Sequence, residues 1–419
     1  MAPDVGGAPR ILQGGRWILI DIVAAKGATQ QSREIVNLIT SGRAIAESAL
    51  ALSPWVPAPK PRSAADVDAT WITAVFGQRV PGAVALRVKT VEGTSGLTDR
   101  RLLAIEWNAA GQDAGLPTGV FVKATPLSAK NRAMVAALDM AMNEVGFYKA
   151  IRPGLGDDVA PQVYACHAGH GGRYLLLLED LVGAGATFLE SPHDLDLPYA
   201  EGVVRALGHL HAAFWDSPRL KNDLSWIASE RQRPGFAVML WQFRRMRKKL
   251  LASAEYELPP SVRRMAEFVN RNDHALHAKW KVGPQTVLHG DGHAGNTYGL
   301  PDGRSGLLDW QLIQRGPGIR EISYFFTHSL PIELRRQHQE DLIRLYLSTL
   351  QEYGLTDPPT FDEAWQAYRF FVFDAWDFIG LCAVWPGLQP PEYVEEGFRR
   401  ANATVADLEV DKAVMAALS

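Results

Sequence analysis

His289-Gly-Asp-Gly-His-Ala-Gly-Asn296 is the densest run of chemistry in the chain, and Asp309 follows thirteen positions later within Leu307-Leu-Asp-Trp-Gln311. Phosphoryl transfer asks little covalent chemistry of a protein. It needs oxygen ligands for a Mg²⁺ that bridges phosphates, and a carboxylate that orients the attacking hydroxyl and takes its proton. Mg²⁺ is a hard ion, better served by a carboxylate, an amide oxygen and waters than by imidazole. Asp291, Asn296 and Asp309 supply those groups, in loops that follow the strand-like Thr286-Val-Leu-His-Gly-Asp291 and Gly306-Leu-Leu-Asp-Trp310. The same stretch also reads His-x-Asp-x-His, a pattern compatible with a metallohydrolase. That reading leaves Asn296, Asp309 and Lys123 without a task.

Working outward, the texture differs on the two sides. Upstream, Ala83–Thr90 alternates like a strand, Glu92-Gly-Thr-Ser-Gly96 reads as a turn, and Arg101–Trp107 reads as a second strand. Gly119-Val-Phe-Val-Lys123 is a third strand ending in a lysine, and Ala129 to Ile151 reads as one helix carrying Glu144. Tyr174-Leu-Leu-Leu-Leu178 is a buried strand running into Glu179-Asp-Leu181. Downstream of residue 182, apolar residues recur at helical spacing over Tyr199–Trp215, 235–251, 260–280, 332–353 and 361–383. The expected fold class is therefore α+β and bilobal: a small antiparallel-sheet lobe over 63–181 and a mostly helical lobe over 182–419. Residues 1–62 stand apart as an extension. Its Ile35, Leu38, Ile39, Ile45, Ala49 and Leu52 fit one apolar helix face. Ser53–Pro61 then holds four prolines in nine positions and cannot continue that helix.

The His289–Asn296 stretch with Asp309-Trp-Gln311 resembles the aminoglycoside phosphotransferase and ecdysteroid-kinase-like group of small-molecule kinases, which has the protein-kinase-like fold. Phe121-Val-Lys123, Asn143-Glu144-Val-Gly-Phe-Tyr148, Leu177-Leu-Glu-Asp-Leu181 and Leu210-His-Ala-Ala-Phe-Trp215 carry the resemblance further, in the right order, from about residue 70 to about residue 400. It implies ATP and Mg²⁺ as cofactors, Asp291 as catalytic base, and Asn296 and Asp309 as metal ligands. It also implies that Lys123 reaches the α- and β-phosphates, Glu144 pairs with that lysine, and backbone groups around Glu179 and Leu181 hold adenine. Gly93 and Ser95, in the glycine turn, would cover the phosphates, and His289 would support the catalytic loop. The chain departs from the pattern at Glu321, where an aspartate is usual.

Composition narrows the partners. The chain of 419 residues is 47% hydrophobic and 21% charged, with 43 Lys and Arg against 46 Asp and Glu. Disordered, collagen-like and coiled-coil chains are excluded, and no basic field points to nucleic acid. Two cysteines cannot build a disulfide framework or a four-cysteine zinc site. No apolar run reaches membrane-span length, and Asp21 interrupts the Trp17–Ala25 block that a secretory leader would need intact. A cytoplasmic kinase acting on a small-molecule hydroxyl is the expectation. Eight Phe and Trp side chains in 361–385 favour an apolar, steroid-like acceptor over an aminoglycoside polycation. A non-catalytic nucleotide-binding regulator is the reading from another class. The amphipathic extension predicts docking on its own lobe or on a second copy, with a homodimer preferred.

Overall fold

A computed structural model of the chain describes residues 61–156, 159–189, 193–385 and 389–419, together with 42, 45–53, 56 and 191. The apolar block at 17–25, the first part of the expected extension helix and most of the proline run lie outside the described residues.

The small lobe is a five-stranded antiparallel sheet in the order β1-β2-β3-β5-β4. Its strands are β1 (Ala85–Ser95), β2 (Asp99–Trp107), β3 (Gly119–Ala124), β4 (Val163–Gly169) and β5 (Arg173–Glu179). Alternation along the strands gives the sheet two faces. Leu103, Ile105, Val120, Val122, Leu175 and Leu177 turn outward and pack on Ile72 and Phe76 of α1 (Ala69–Gly77), and the short α2 (Ala109–Asp113) follows β2. On the inner face Tyr174, Leu176 and Leu178 join a second core with Val145 and Tyr148.

Two expected elements come out differently. The hairpin turn is not at 92–96. β1 runs on through Glu92–Ser95, so the reversal falls at Gly96–Thr98. Nor is 129–151 one helix. Asp139 sits at φ 55°, a left-handed conformation that a helix cannot pass through. It divides α3 (Ala129–Ala137) from α4 (Met140–Ala150), which carries Glu144.

The large lobe contains α5 (Leu197–Phe214), α6 (Phe236–Ala252), α7 (Pro260–Ala278), α8 (Ile319–Ser329), α9 (Ile332–Glu352), α10 (Phe361–Val384), α11 (Pro391–Asp407) and α12 (Val410–Ala416). Asp196 caps α5 by accepting from the Tyr199 N–H, and Thr360 with Glu363 forms a capping box on α10. Two short ribbons interrupt the helices. β6 (Thr286–Leu288) pairs with β9 (Gln314–Gly316), and β7 (Thr297–Gly299) pairs with β8 (Ser305–Leu307). The catalytic-type sequence lies in the loops that leave β6 and β8. Among the described residues, no helix is long and apolar enough to cross a membrane.

The end of the extension lies on the small lobe. Over 45–52 the backbone is helical. Glu47 accepts from the Gly171 N–H and pairs with His170, Ser48 donates to Ala133 O, and Arg173 donates to Leu50 O and Ser53 O. Ala51 is buried there, whereas Ile45, Ala49 and Leu52, the expected apolar contact face, are exposed. Polar contacts to a turn and a helix end, not the apolar stripe, set how this segment docks.

Candidate active site

The cleft between the lobes is a cavity of about 280 Å³. Its walls include Leu102, Phe121, Lys123, Glu144, Leu178, Glu179, Leu181, Asn296 and Asp309. Lys123 leaves β3 on the inner face. Its Nζ donates to Glu144 Oε1 at 2.8 Å and, across the cleft, to Asp309 Oδ1 at 2.9 Å. Burial works to lower the Lys123 pKa, and the two carboxylates outweigh it and raise it. Burial also works to raise Asp309, and the lysine's charge and hydrogen bond hold that carboxyl below its ordinary value. Glu144, the more deeply buried of the two acids, goes the other way: burial lifts it although Lys123 opposes. One ammonium thus ties β3, α4 and the loop after β8 together.

The loop after β6 carries Asp291. Tyr324, on α8, donates its hydroxyl to Asp291 Oδ1 at 2.9 Å, and Asn296 donates Nδ2 to Asp291 O at 2.9 Å and to Oδ2 at 3.3 Å. Gly290 takes φ +90°, and a Cβ there would lie 2.0 Å from Leu312 O, so this position accepts only glycine. Glu321 resolves the departure from the family pattern. Its Oε2 accepts from the His289 N–H at 2.8 Å and its Oε1 from the Gly290 N–H at 2.6 Å. His211 holds the same carboxylate from α5 at 3.2 Å and is itself backed by the Tyr346 hydroxyl at 3.0 Å. Burial would raise the Glu321 pKa; the hydrogen bond and charge of His211 bring it below its ordinary value. The longer acid therefore clamps two successive backbone donors of the catalytic-type loop.

The two histidines do not converge on a metal. His289 uses Nε2 on Leu308 O at 2.6 Å and accepts from the Asp291 N–H on Nδ1, and burial lowers its pKa. His293 accepts from the Gly295 N–H at 3.0 Å. Asn296 turns its amide nitrogen to Asp291, which leaves Oδ1 as its acceptor. Asp309, its side chain 35% exposed, offers a carboxylate beside it in the same wall. This all-oxygen donor set fits Mg²⁺.

Of the residues expected to touch nucleotide, Lys123, Glu144, Glu179, Leu181 and Gly93 line the cleft and Ser95 does not. The pairing explains Ser95. It stands opposite Asp99, two positions from Gly93, which is opposite Arg101, whose other neighbour is the outward Val122. The Ser95 side chain therefore belongs to the outer face, whereas Gly93 borders the cleft through its backbone. Glu92 and Thr94 occupy the inner face instead. Sequence reasoning missed Tyr324 and Arg100. Tyr324 lies one helical turn beyond Glu321, a spacing that could have drawn attention to it. Arg100 needed the strand register.

The acceptor side also departs from expectation. Asp374 and Asp377, on α10, are buried ion-pair partners of Arg320 and Arg247 and do not offer charge to a polycation. Arg244 binds Asp273 in two hydrogen bonds of 2.6 Å each. Arg320 also donates to Gly290 O at 3.3 Å, so this internal charge network ends on the catalytic-type loop. Of the α10 aromatics, Phe370, Phe371, Phe373 and Trp376 are core. Phe361 and Trp365 stack on each other, with Arg344 over Phe361. Near Asp291 there remain Tyr324, its ring 5.8 Å from Phe378, and Cys382, whose thiol burial pushes up to about 11 with Asp291 adding to the shift.

The profile of the Ecdysteroid kinase-like family matches residues 102–356. No curated protein sequence matches the chain. Among solved structures, choline kinase LicA from Streptococcus pneumoniae is 14% identical, covering 81% of this chain and 98% of its own, with a TM-score of 0.44. Macrolide 2'-phosphotransferase MphH from Brachybacterium faecium is 15% identical, covering 79% and 97%, with a TM-score of 0.40. An aminoglycoside phosphotransferase from Alicyclobacillus acidocaldarius is 14% identical, covering 81% and 94%, with a TM-score of 0.38.

Proposed function

The chain belongs to the ecdysteroid kinase-like family, and from that premise we propose that it transfers the terminal phosphate of ATP, with Mg²⁺, to a hydroxyl of a small apolar molecule. The observation that carries this reading is the reach of Lys123 from the small lobe to Asp309 in the large one. It brings a phosphate-binding cation, an all-oxygen metal site and the Asp291 loop to one cleft.

Asp291 orients the acceptor hydroxyl and takes its proton, with its carboxylate aligned by Tyr324 and Asn296. Lys123, held by Glu144, meets the phosphates. Leu102, Phe121 and Leu178 give the base an apolar slot beside the Glu179–Leu181 backbone. Asn296 and Asp309 would hold Mg²⁺, which neutralises charge on the transferring phosphate. Glu321 keeps the loop in place without meeting substrate. An apolar acceptor is favoured by the neighbours of Asp291, Tyr324 with Phe378 against its ring and Cys382, and by the pairing of nearby carboxylates with arginines.

The test is a screen of hydroxylated compounds, steroids and aminoglycosides among them, with ATP and Mg²⁺ and with phosphorylated product detected by mass. A phosphorylated apolar alcohol supports the proposal. Product from kanamycin-like compounds alone overturns the acceptor class, and nucleotide binding with no product from any compound favours the non-catalytic regulator.

A further inference from the structure

We infer that Arg100 is a second phosphate-binding cation of the cleft, a side-chain replacement for the glycine-rich cover that this hairpin lacks; the inference rests on the nucleotide reading above. The argument starts from register. Arg100 on β2 stands directly opposite Lys123 on β3 and Thr94 on β1. Directly opposed residues of an antiparallel sheet project from the same face, with Cβ atoms about 5 Å apart. The Lys123 face is the cleft face, because its ammonium reaches Asp309. Arg100 therefore enters the cleft level with Lys123, two residues past the hairpin reversal at Gly96–Thr98, and it lines the cavity. Its charge acts on the Asp309 carboxyl.

Its neighbours leave that charge available. Lys123 divides its ammonium between Glu144 and Asp309. Arg101 alternates to the other face but still borders the cavity, and its guanidinium lies 3.9 Å from Asp99. Arg100 is exposed and has no hydrogen bond or ion pair among the described residues. Two acids share its face of the hairpin: Glu106, paired with Arg87, and Glu92, opposite Leu102 and so one pair step nearer Glu179. The sheet thus offers an anion at the nucleoside end and an unpaired cation at the phosphate end.

Glycine-rich phosphate loops work through backbone N–H groups brought close by missing side chains. The reversal here is Ser95-Gly-Leu-Thr98, with a single glycine and an exposed Leu97. A guanidinium supplies what that backbone does not: planar, paired donors matched to phosphate oxygens.

The test measures binding of ATP and adenosine, with Mg²⁺ and by calorimetry, to the full-length protein and its Arg100→Ala, Arg100→Lys and Lys123→Ala variants. Arg100→Ala should weaken ATP by about tenfold to a hundredfold, the worth of one charge-assisted contact, and leave adenosine within twofold. Arg100→Lys should recover part of the loss, because it restores charge without the fork. Unchanged ATP affinity in Arg100→Ala, with Lys123→Ala weakened, overturns the role of Arg100 and leaves the nucleotide site standing. Equal losses for ATP and adenosine also overturn it, since a phosphate contact cannot act on a nucleoside. A wild-type protein that binds neither ligand overturns the nucleotide reading itself, and this inference with it.

Discussion

Asp291 has both carboxylate oxygens engaged, one by Tyr324 on a helix and one by Asn296 in its own loop. Replacing it by Asn removes the proton acceptor while keeping shape and most hydrogen bonding. Asp291→Asn should therefore lower turnover by roughly 10²–10⁴-fold while ATP affinity and melting temperature stay near wild type. A variant that kept half its turnover would show that the proton leaves by another route. At this scale the sequence was most legible where spacing is local, as in Asp291 with Asn296 five positions on. Lys123 and Glu144 were legible through order along the chain. Arg100 and Tyr324 were not, because their meaning depends on a strand register and on a helix returning to the loop. Ser95 fails for the same reason. One residue's error in the hairpin turn moves a side chain to the other face of the sheet.

Among elements, α8 does most to hold the site together. Glu321 on its first turn is buried and occupies two backbone N–H groups. Glu321→Ala orphans both, at about 1–3 kcal/mol each, so urea unfolding should report a loss of about 2–6 kcal/mol, with activity falling alongside. A midpoint equal to wild type would mean that the loop keeps its shape without the clamp. Helix α10 carries the opposite lesson. Its aromatic density suggested a substrate wall, but packing on both sides consumes most of it, and Asp374 and Asp377 are consumed by Arg320 and Arg247. Composition cannot separate a helix buried all round from one that lines a cleft. The pairing still yields a prediction. With these carboxylates already neutralised, the KM of the true acceptor should change less than about threefold between low and high salt, because little counter-charge is left to screen. A tenfold weakening would restore a polycationic acceptor. The break at Asp139 was equally hidden, since no glycine or proline stands at the junction between α3 and α4.

At the scale of the whole molecule, the α+β fold class was visible as a change from strand-like to helical texture along the chain, and the sheet order followed only from the structure. The extension is tied to the small lobe through Glu47, Ser48 and the carbonyls that Arg173 and Arg132 bind. Deleting residues 1–53 strips those partners from Arg173 and Arg132, so the melting temperature should fall. Light scattering on the same pair of proteins tests whether the extension also joins two copies. A dimer that becomes a monomer on deletion supports that proposal, and an unchanged mass removes its basis. A last consequence lies in Trp310, the residue after Asp309. Its ring stacks on Phe147 of α4 at 3.6 Å and meets the edge of His289 at 4.6 Å. One indole is thus wedged between the helix that carries Glu144 and the loop that carries Asp291, which makes it an optical gauge. Subtracting the emission of a Trp310→Phe variant from that of the wild type isolates its signal from the other eleven tryptophans. Any ligand that shifts one lobe against the other can then be followed by fluorescence, without a label and before a substrate is known.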